Sequence, residues 1–375
     1  MGADNPRALK HMYGADFLQR LVHALCAVYP RFDRAGFLAI LPGLGPLEMK
    51  GRVHLVRDRL HQLLPADFPG ALRVLRASML KGDLRGFDLW PFTEYVQKFG
   101  IGHPELARKA LRELTPRFTS EWAVRPFIRQ DPKATLDFLL ECAQDEDEHV
   151  RRWASEGSRS RLPWGERLAC VMHDPNLTAP ILEALRDDPS LYVRKSVANH
   201  LNDISKDHPA WAIDRLRGWL DAAAPEDRKR VEWIATRALR SLIKAGDVDA
   251  LSLFGAREVR GVTLLGPELD RKTIRMGEDL RFTFTIESIH KRPQKLVVDY
   301  VMHFRRADGR LAPKVFKLCQ FELAPGETRE ITKKHPLRAI TTRTYHKGAQ
   351  RLEIQVNGRI LGGVDWRLGD GSSRS

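Results

Sequence analysis

Two stretches of this chain are one unit written twice. Asp145-Glu146-Asp147-Glu148-His149-Val150-Arg151-Arg152-Trp153-Ala154-Ser155-Glu156 aligns with Asp188-Pro189-Ser190-Leu191-Tyr192-Val193-Arg194-Lys195-Ser196-Val197-Ala198-Asn199 at a constant offset of 43 residues. In each copy an acidic residue is followed five and six positions later by Val-Arg. This is the inner-helix pattern of a HEAT-type helical hairpin, whose period is about 40–47 residues. Hairpins of this kind stack into a solenoid whose inner helices line one curved surface. The residues on that surface decide what such a chain does.

Helical spacing extends over the first 250 or so residues. Phe17, Leu18, Leu21, Val22, Leu25 and Val28 share one face, as do Val53, Val56, Leu60 and Leu63. Pro91 and Pro104 each precede an amphipathic run, which suits the first turn of a helix. Pro132, Pro163, Pro175, Pro189, Pro209 and Pro225 mark further helix starts or turns. Val231–Ile243 predicts another inner helix, and Gly43-Leu44-Gly45 reads as a loop because it lacks the rest of a dinucleotide fingerprint. The expectation for 1–255 is an all-α array of roughly five or six hairpins with an irregular N-terminal cap.

Near Gly255 the period changes from helical to two. Arg281–Ile286 alternates, as do parts of Lys295–Phe304, Lys314–Leu323 and Arg351–Val356. Between them stand the turn signals Ala307-Asp308-Gly309, Ala324-Pro325-Gly326-Glu327 and Asn357-Gly358. About seven short strands are expected over 256–369, forming an all-β sandwich of immunoglobulin-like type, with a disordered tail at 370–375.

The 375 residues are 43% hydrophobic, which suits a globular chain with more than one domain. There is no apolar run of the roughly 18 residues that a membrane helix needs, and the N-terminus lacks the apolar core of a signal peptide. A cytoplasmic protein is expected. Cys26, Cys142, Cys170 and Cys319 are scattered, so neither a disulfide framework nor a zinc site is expected. The net charge of +14 favours a polyanion, either nucleic acid or an acidic membrane face, although a basic enzyme could carry it for solubility alone. From Arg257 onward there are 24 Lys and Arg against 14 Asp and Glu, so most of the surplus lies in the β region.

Glu156 stands among Arg152, Trp153, Arg159, Arg161 and Trp164. By itself that is what a surface ion pair looks like. Glu121 beside Trp122 follows Thr119-Ser120, as a first-turn glutamate would. Asp203 follows Asn199, His200 and Asn202 and fits an Asn-Asp turn at a helix end. Taken together, successive repeats each offer a carboxylate to one surface. Acids inside a basic groove would repel a polyanion, so they point to chemistry on something cationic or becoming cationic. Arg152, Arg159, Arg161 and Lys195 are candidates for phosphate, with Trp122, Trp153, Trp164 and His200 beside them. Arg151 and Arg194 are expected to bond acids of neighbouring repeats. No HExxH, Walker or GxSxG motif occurs.

Trp153-Ala154-Ser155-Glu156-Gly157 with Arg161-Leu162-Pro163-Trp164, and the run from Tyr192 to Pro209, resemble the HEAT-repeat DNA alkylation-repair glycosylases, and the AlkC branch more than the AlkD branch. Counted from Glu121 to Pro209 the likeness spans about 90 residues, and the helical pattern carries it over roughly 1–250. One departure is Arg159-Ser160, where the family pattern leads to Arg-Pro. The resemblance implies excision of bases alkylated at N3, such as 3-methyladenine and 3-methylcytosine, from duplex DNA without base flipping. It assigns Glu121, Glu156 and Asp203 to the acids around the lesion's sugar, and Trp153 and Trp164 to the aromatics there. It also implies a monofunctional enzyme with no cofactor or metal, acting as a monomer without an obligate protein partner at the bacterial nucleoid. The basic β domain would clamp the duplex, with Lys333-Lys334, Arg338, Arg343 and His346-Lys347 expected in loops. The competing expectation is a non-catalytic HEAT-repeat scaffold that binds nucleic acid or protein.

Overall fold

The computed structural model describes residues 9–255, 259–340 and 343–369, so the expected tail at 370–375 lies outside the described residues. The chain divides into two compact units. One falls within Met1–His208 and Trp219–Ala238, the other within Pro209–Gly218 and Leu239–Ser375. None of the described helices is long and apolar enough to cross a membrane.

The first unit is helical. Ala15–Cys26 and Met49–Leu63 bury the apolar faces that their spacing predicts. Prolines open the helices Trp90–Phe99, Pro104–Leu114, Arg125–Gln130 and Pro132–Cys142, where a missing N–H costs nothing. The duplicated segments become the helices Glu148–Gly157 and Leu191–Ile204, which pack on each other. Their caps are equivalent positions: Asp147 accepts from the His149 amide and Ser190 from the Tyr192 amide. Val150 and Val193 are buried. The paired arginines staple the turn ahead of each helix. Arg151 donates to the carbonyls of Asp145 and Glu146, and Arg194 to those of Asp188 and Pro189. Arg151 also reaches Asp188 of the next repeat at 2.7 Å, as expected, whereas Arg194 serves its own turn.

Two local expectations change. Leu41–Leu44 is a short helical turn with Pro42 near its start, not a loop. The predicted helix Val231–Ile243 breaks at the wholly buried Leu239 into Arg228–Ala238 and Arg240–Ala245. Ile243 packs with Leu251 and Val297, which binds the second piece to the β unit.

The second unit carries β1 (Val262–Leu269), β2 (Thr273–Ile274), β3 (Asp279–Ser288), β4 (Gln294–Arg305), β5 (Leu311–Leu323), β6 (Thr328–Pro336), β7 (Gly348–Val356) and β8 (Arg359–Leu368). Two sheets, ordered β1-β3-β6 and β2-β8-β7-β4-β5, enclose one core. Alternate residues Leu280, Phe282, Phe284 and Ile286 of β3 point inward, together with Leu296, Val298, Tyr300, Met302 and Phe304 of β4. The β7–β8 hairpin turns on Asn357 and Gly358, both at positive φ, as its two-residue loop requires. Lys333 and Lys334 sit in β6 rather than in a loop, and Arg338 donates to Asp279.

Asp299 of β4 is a buried carboxylate, and burial lifts it to about 6 although Lys317 opposes the shift. Between its unfolded value of about 3.9 and that raised value the folded state binds the extra proton. Stability therefore falls as pH rises through this window, and the penalty is complete above it. Asp299→Asn should melt higher than the parent at pH 8, by up to about 3 kcal/mol, with the gap closing near pH 4. Equal melting differences at the two pH values, followed by circular dichroism, would contradict this account.

Candidate active site

Glu156 lies in the last turn of Glu148–Gly157, and Asp203 in the last turn of Leu191–Ile204. The repeat makes Asn199 the counterpart of Glu156, and Asp203 is one turn further along the same helix face. Glu121 lies in the turn ahead of Arg125–Gln130 rather than inside that helix. All three acids are buried, at 3–7% exposure, so Glu156 is not the exposed ion-pair partner its surroundings in the sequence suggest.

Arg159 joins two of them. Its Nη1 donates to Glu156 Oε1 at 2.5 Å and its Nε to Asp203 Oδ2 at 2.9 Å. Lys206 Nζ donates to Asp203 Oδ1 at 2.9 Å. Arg152 donates to Glu121 Oε2 and to Thr119 Oγ1, lies 3.5 Å from Glu156 Oε1, and rests over the Tyr192 ring at 5.3 Å. The cluster thus holds three carboxylates against the guanidiniums of Arg152 and Arg159 and the partly exposed ammonium of Lys206, so its formal charges balance. The contacts to Glu156 fall on Oε1, and among the described residues Oε2 accepts no hydrogen bond. A carboxylate with a free oxygen in such a cluster can face a developing positive charge or orient a water.

An aromatic stack passes through Trp122, the residue after Glu121. Trp90, Trp122 and Trp164 lie nearly parallel, with centroids 5.3 Å and 6.4 Å apart. The stack runs from buried Trp90 to Trp164, which is 76% exposed. Trp164 has φ +61°, a left-handed conformation that is costly for a bulky side chain. Arg161 pairs with Asp207 at 2.6 Å at the edge of this surface, and Lys195 is exposed.

Arg159, expected to meet phosphate, is instead buried and bonded to Glu156 and Asp203, and two further expected contact residues are not on the surface. Trp153 is fully buried, edge-on to Phe138, and belongs to the core between helices. His200 is also fully buried. Burial first, then the nearby Arg159, pushes its imidazole down to about 3, so it is neutral at physiological pH. The helical period explains both: Trp153 follows Val150 by three residues, and His200 follows Val193 by seven, so each shares the core-facing side of its helix.

The sequence reading also missed Trp90, Tyr192, Lys206 and Arg125. Arg125 is almost wholly buried and is pulled down to about 10 by that burial. Its location just past Trp122 was the available signal. Among the described residues no group of acids, histidines or cysteines is arranged to hold a metal.

Residues 263–370 match a family described as the C-terminal Ig-like domain of the uncharacterised protein YhaZ. The chain is 37% identical to YhaZ of Bacillus subtilis over 362 residues, covering 96% of this chain and 99% of YhaZ. It is similar in structure to the Pseudomonas fluorescens alkylpurine DNA glycosylase AlkC bound to DNA containing an abasic site analog. The TM-score is 0.86 and the identity 41%, covering 96% of this chain and 99% of AlkC.

The two tryptophans flanking the acids should behave oppositely. Trp153→Ala should cost about 3–5 kcal/mol of stability, as a core truncation does, whereas Trp164→Ala should stay within about 0.5 kcal/mol. Denaturant unfolding of both variants measures the contrast, and similar losses would place Trp164 in the core.

Proposed function

The chain belongs to the AlkC branch of the HEAT-repeat DNA alkylation-repair glycosylases, and we propose that it hydrolyses the N-glycosidic bond of cationic N3-alkylated bases in duplex DNA. The observation that carries this reading is the buried cluster of three carboxylates, one with a free oxygen, set into a protein of net charge +14. A scaffold that only gripped phosphates would gain nothing from Glu121, Glu156 and Asp203 on that surface.

The chemistry follows from where charge develops. A base alkylated at N3, such as 3-methyladenine or 3-methylcytosine, already carries a positive charge and leaves as a neutral molecule. No acid has to protonate it. As the bond breaks, positive charge appears on the deoxyribose, and the Glu156 and Asp203 carboxylates stabilise it. The free Glu156 oxygen orients or deprotonates the attacking water. Glu121, held by Arg152, shapes the same face. Trp164 and Trp122 present ring faces that attract a cation, which favours charged lesions over normal bases. The exposed tip of the stack supports a lesion read at the surface of the duplex, without extrusion into a deep pocket. Arg161 and Lys195 take phosphates. The β unit, with ten surplus positive charges from Arg257 onward, adds sequence-independent affinity. Lys206 keeps its Nζ against Asp203 rather than free to form a Schiff base, so excision leaves an intact abasic strand and borohydride traps no adduct.

Methylated duplex DNA incubated with the protein should release N3-methylated bases, identified by mass spectrometry. Glu156→Gln and Asp203→Asn keep the size and an oxygen acceptor for Arg159 but lose the charge. Each should slow release by about 10²–10³-fold, with affinity for undamaged duplex unchanged within a few fold. Wild-type release rates in both variants, or binding lost in step with release, would refute the catalytic assignment.

A further inference from the structure

Arg125 is a buried cation, 1% exposed, and it donates to backbone carbonyls. Nη1 donates to the Gly157 carbonyl at 2.9 Å and to the Arg159 carbonyl at 2.8 Å. Nε donates to the Glu166 carbonyl at 2.8 Å, and Nη2 donates to the same oxygen. These carbonyls bound one loop, residues 157–166, which carries Arg159, Arg161 and Trp164. Three residues before Arg125, Trp122 Nε1 donates to the Pro163 carbonyl at 3.1 Å. The carbonyls on either side of Trp164 are therefore both held from residues 122–125. The approach is close: a Cβ on Gly165 would stand 3.3 Å from Arg125 Cδ and Nε. A bulky residue at positive φ persists only where its surroundings over-determine it, and this clamp is that surrounding.

We propose that Arg125 is a positioning residue for base excision, acting through the 157–166 loop to hold Trp164 out on the stack and Arg159 between Glu156 and Asp203. The inference rests on the glycosylase reading. It does not place Arg125 in contact with DNA. A guanidinium is required because its planar fork serves three carbonyls from fixed directions, which an ammonium cannot match. Removing it would leave buried carbonyls without donors, and the loop would relax toward conformations in which Trp164 leaves the stack.

The test compares Arg125→Lys and Arg125→Gln with the parent, well below their melting temperatures, in single-turnover release of N3-methylated bases. Release should slow at least tenfold in both, with affinity for undamaged duplex within threefold. A role only in global stability would leave the rate per folded molecule unchanged, and that result would overturn the proposal. A double-mutant cycle with Trp164→Ala adds a second reading. If Arg125 acts through the loop, the combined variant should lose clearly less than the product of the two single losses, whereas multiplicative losses would overturn it. A DNA-free measurement separates failure of this proposal from failure of the glycosylase reading. The Trp164 contribution to fluorescence is taken as the difference between each protein and its Trp164→Phe counterpart. Its steady-state anisotropy should fall clearly in Arg125→Gln as the loop loosens, and unchanged anisotropy would overturn the positioning role even if the wild type released no base.

Discussion

The Arg159 guanidinium lies between two carboxylates that come from consecutive repeats, Glu156 and Asp203, and the rest of the site is arranged around it. Two buried carboxylates side by side would repel each other and lose hydration with nothing in return. One planar cation compensates both, and because each acid is the last turn of a different inner helix, the same contact locks the Glu148–Gly157 and Leu191–Ile204 helices in register. Packing of the repeats and organisation of the acids are one interaction. The departure from the family pattern at Arg159-Ser160 does not disturb it, since the arginine still finds both acids.

The charge balance of the cluster depends equally on what is neutral. His200 lies close enough to Arg159 to feel its charge, and it is kept uncharged by burial. On the proposed reading, a protonated imidazole there would add a positive charge beside the carboxylates and oppose their attraction for an alkylated base or an oxocarbenium-like sugar. His200 thus matters to the site as a neutral neighbour beneath it, not as a contact to DNA. The paired arginines of the repeat are likewise absorbed into structure: Arg151 is spent on the turn before it and on Asp188.

Element type and order were open to sequence reasoning because each rests on a local pattern. The 43-residue duplication sets the inner helices, proline sets helix starts, and alternation with Asn357-Gly358 sets the β7–β8 hairpin. The acid trio could be singled out because carboxylates are out of place on a polyanion-binding surface. What the sequence hid were contacts between repeats. Trp153 looks like an exposed aromatic when read beside its arginines, yet its helical phase relative to Val150 sends it into the core. Trp90 joins the stack only because Trp90–Phe99 and the turn before Arg125–Gln130 lie side by side, which no local pattern encodes. Arg125 bonds to carbonyls more than 30 residues away, and carbonyls carry no sequence signature. Lys333 and Lys334 were misjudged for a similar reason, since a charged pair reads as loop although β6 alternates exposed and half-buried positions.

On the proposed reading, affinity and chemistry ask for opposite charge, and the chain separates them. Duplex DNA is bound by many dispersed cations, each interaction screened by salt and indifferent to sequence. The acids are few and buried, so they are shielded from both solvent and phosphate. Their field is felt at short range, by a group brought against the Trp164–Trp122 stack. An undamaged base there is neutral and its sugar uncharged, so the cluster offers it nothing to offset the nearby carboxylates. An N3-alkylated base brings its own positive charge, and the advantage grows as that charge moves to the sugar in the transition state. On that reading selectivity and rate would arise from the same electrostatic term, which needs no shape-matched pocket for any one base and would let a shallow site accept both a purine and a pyrimidine lesion.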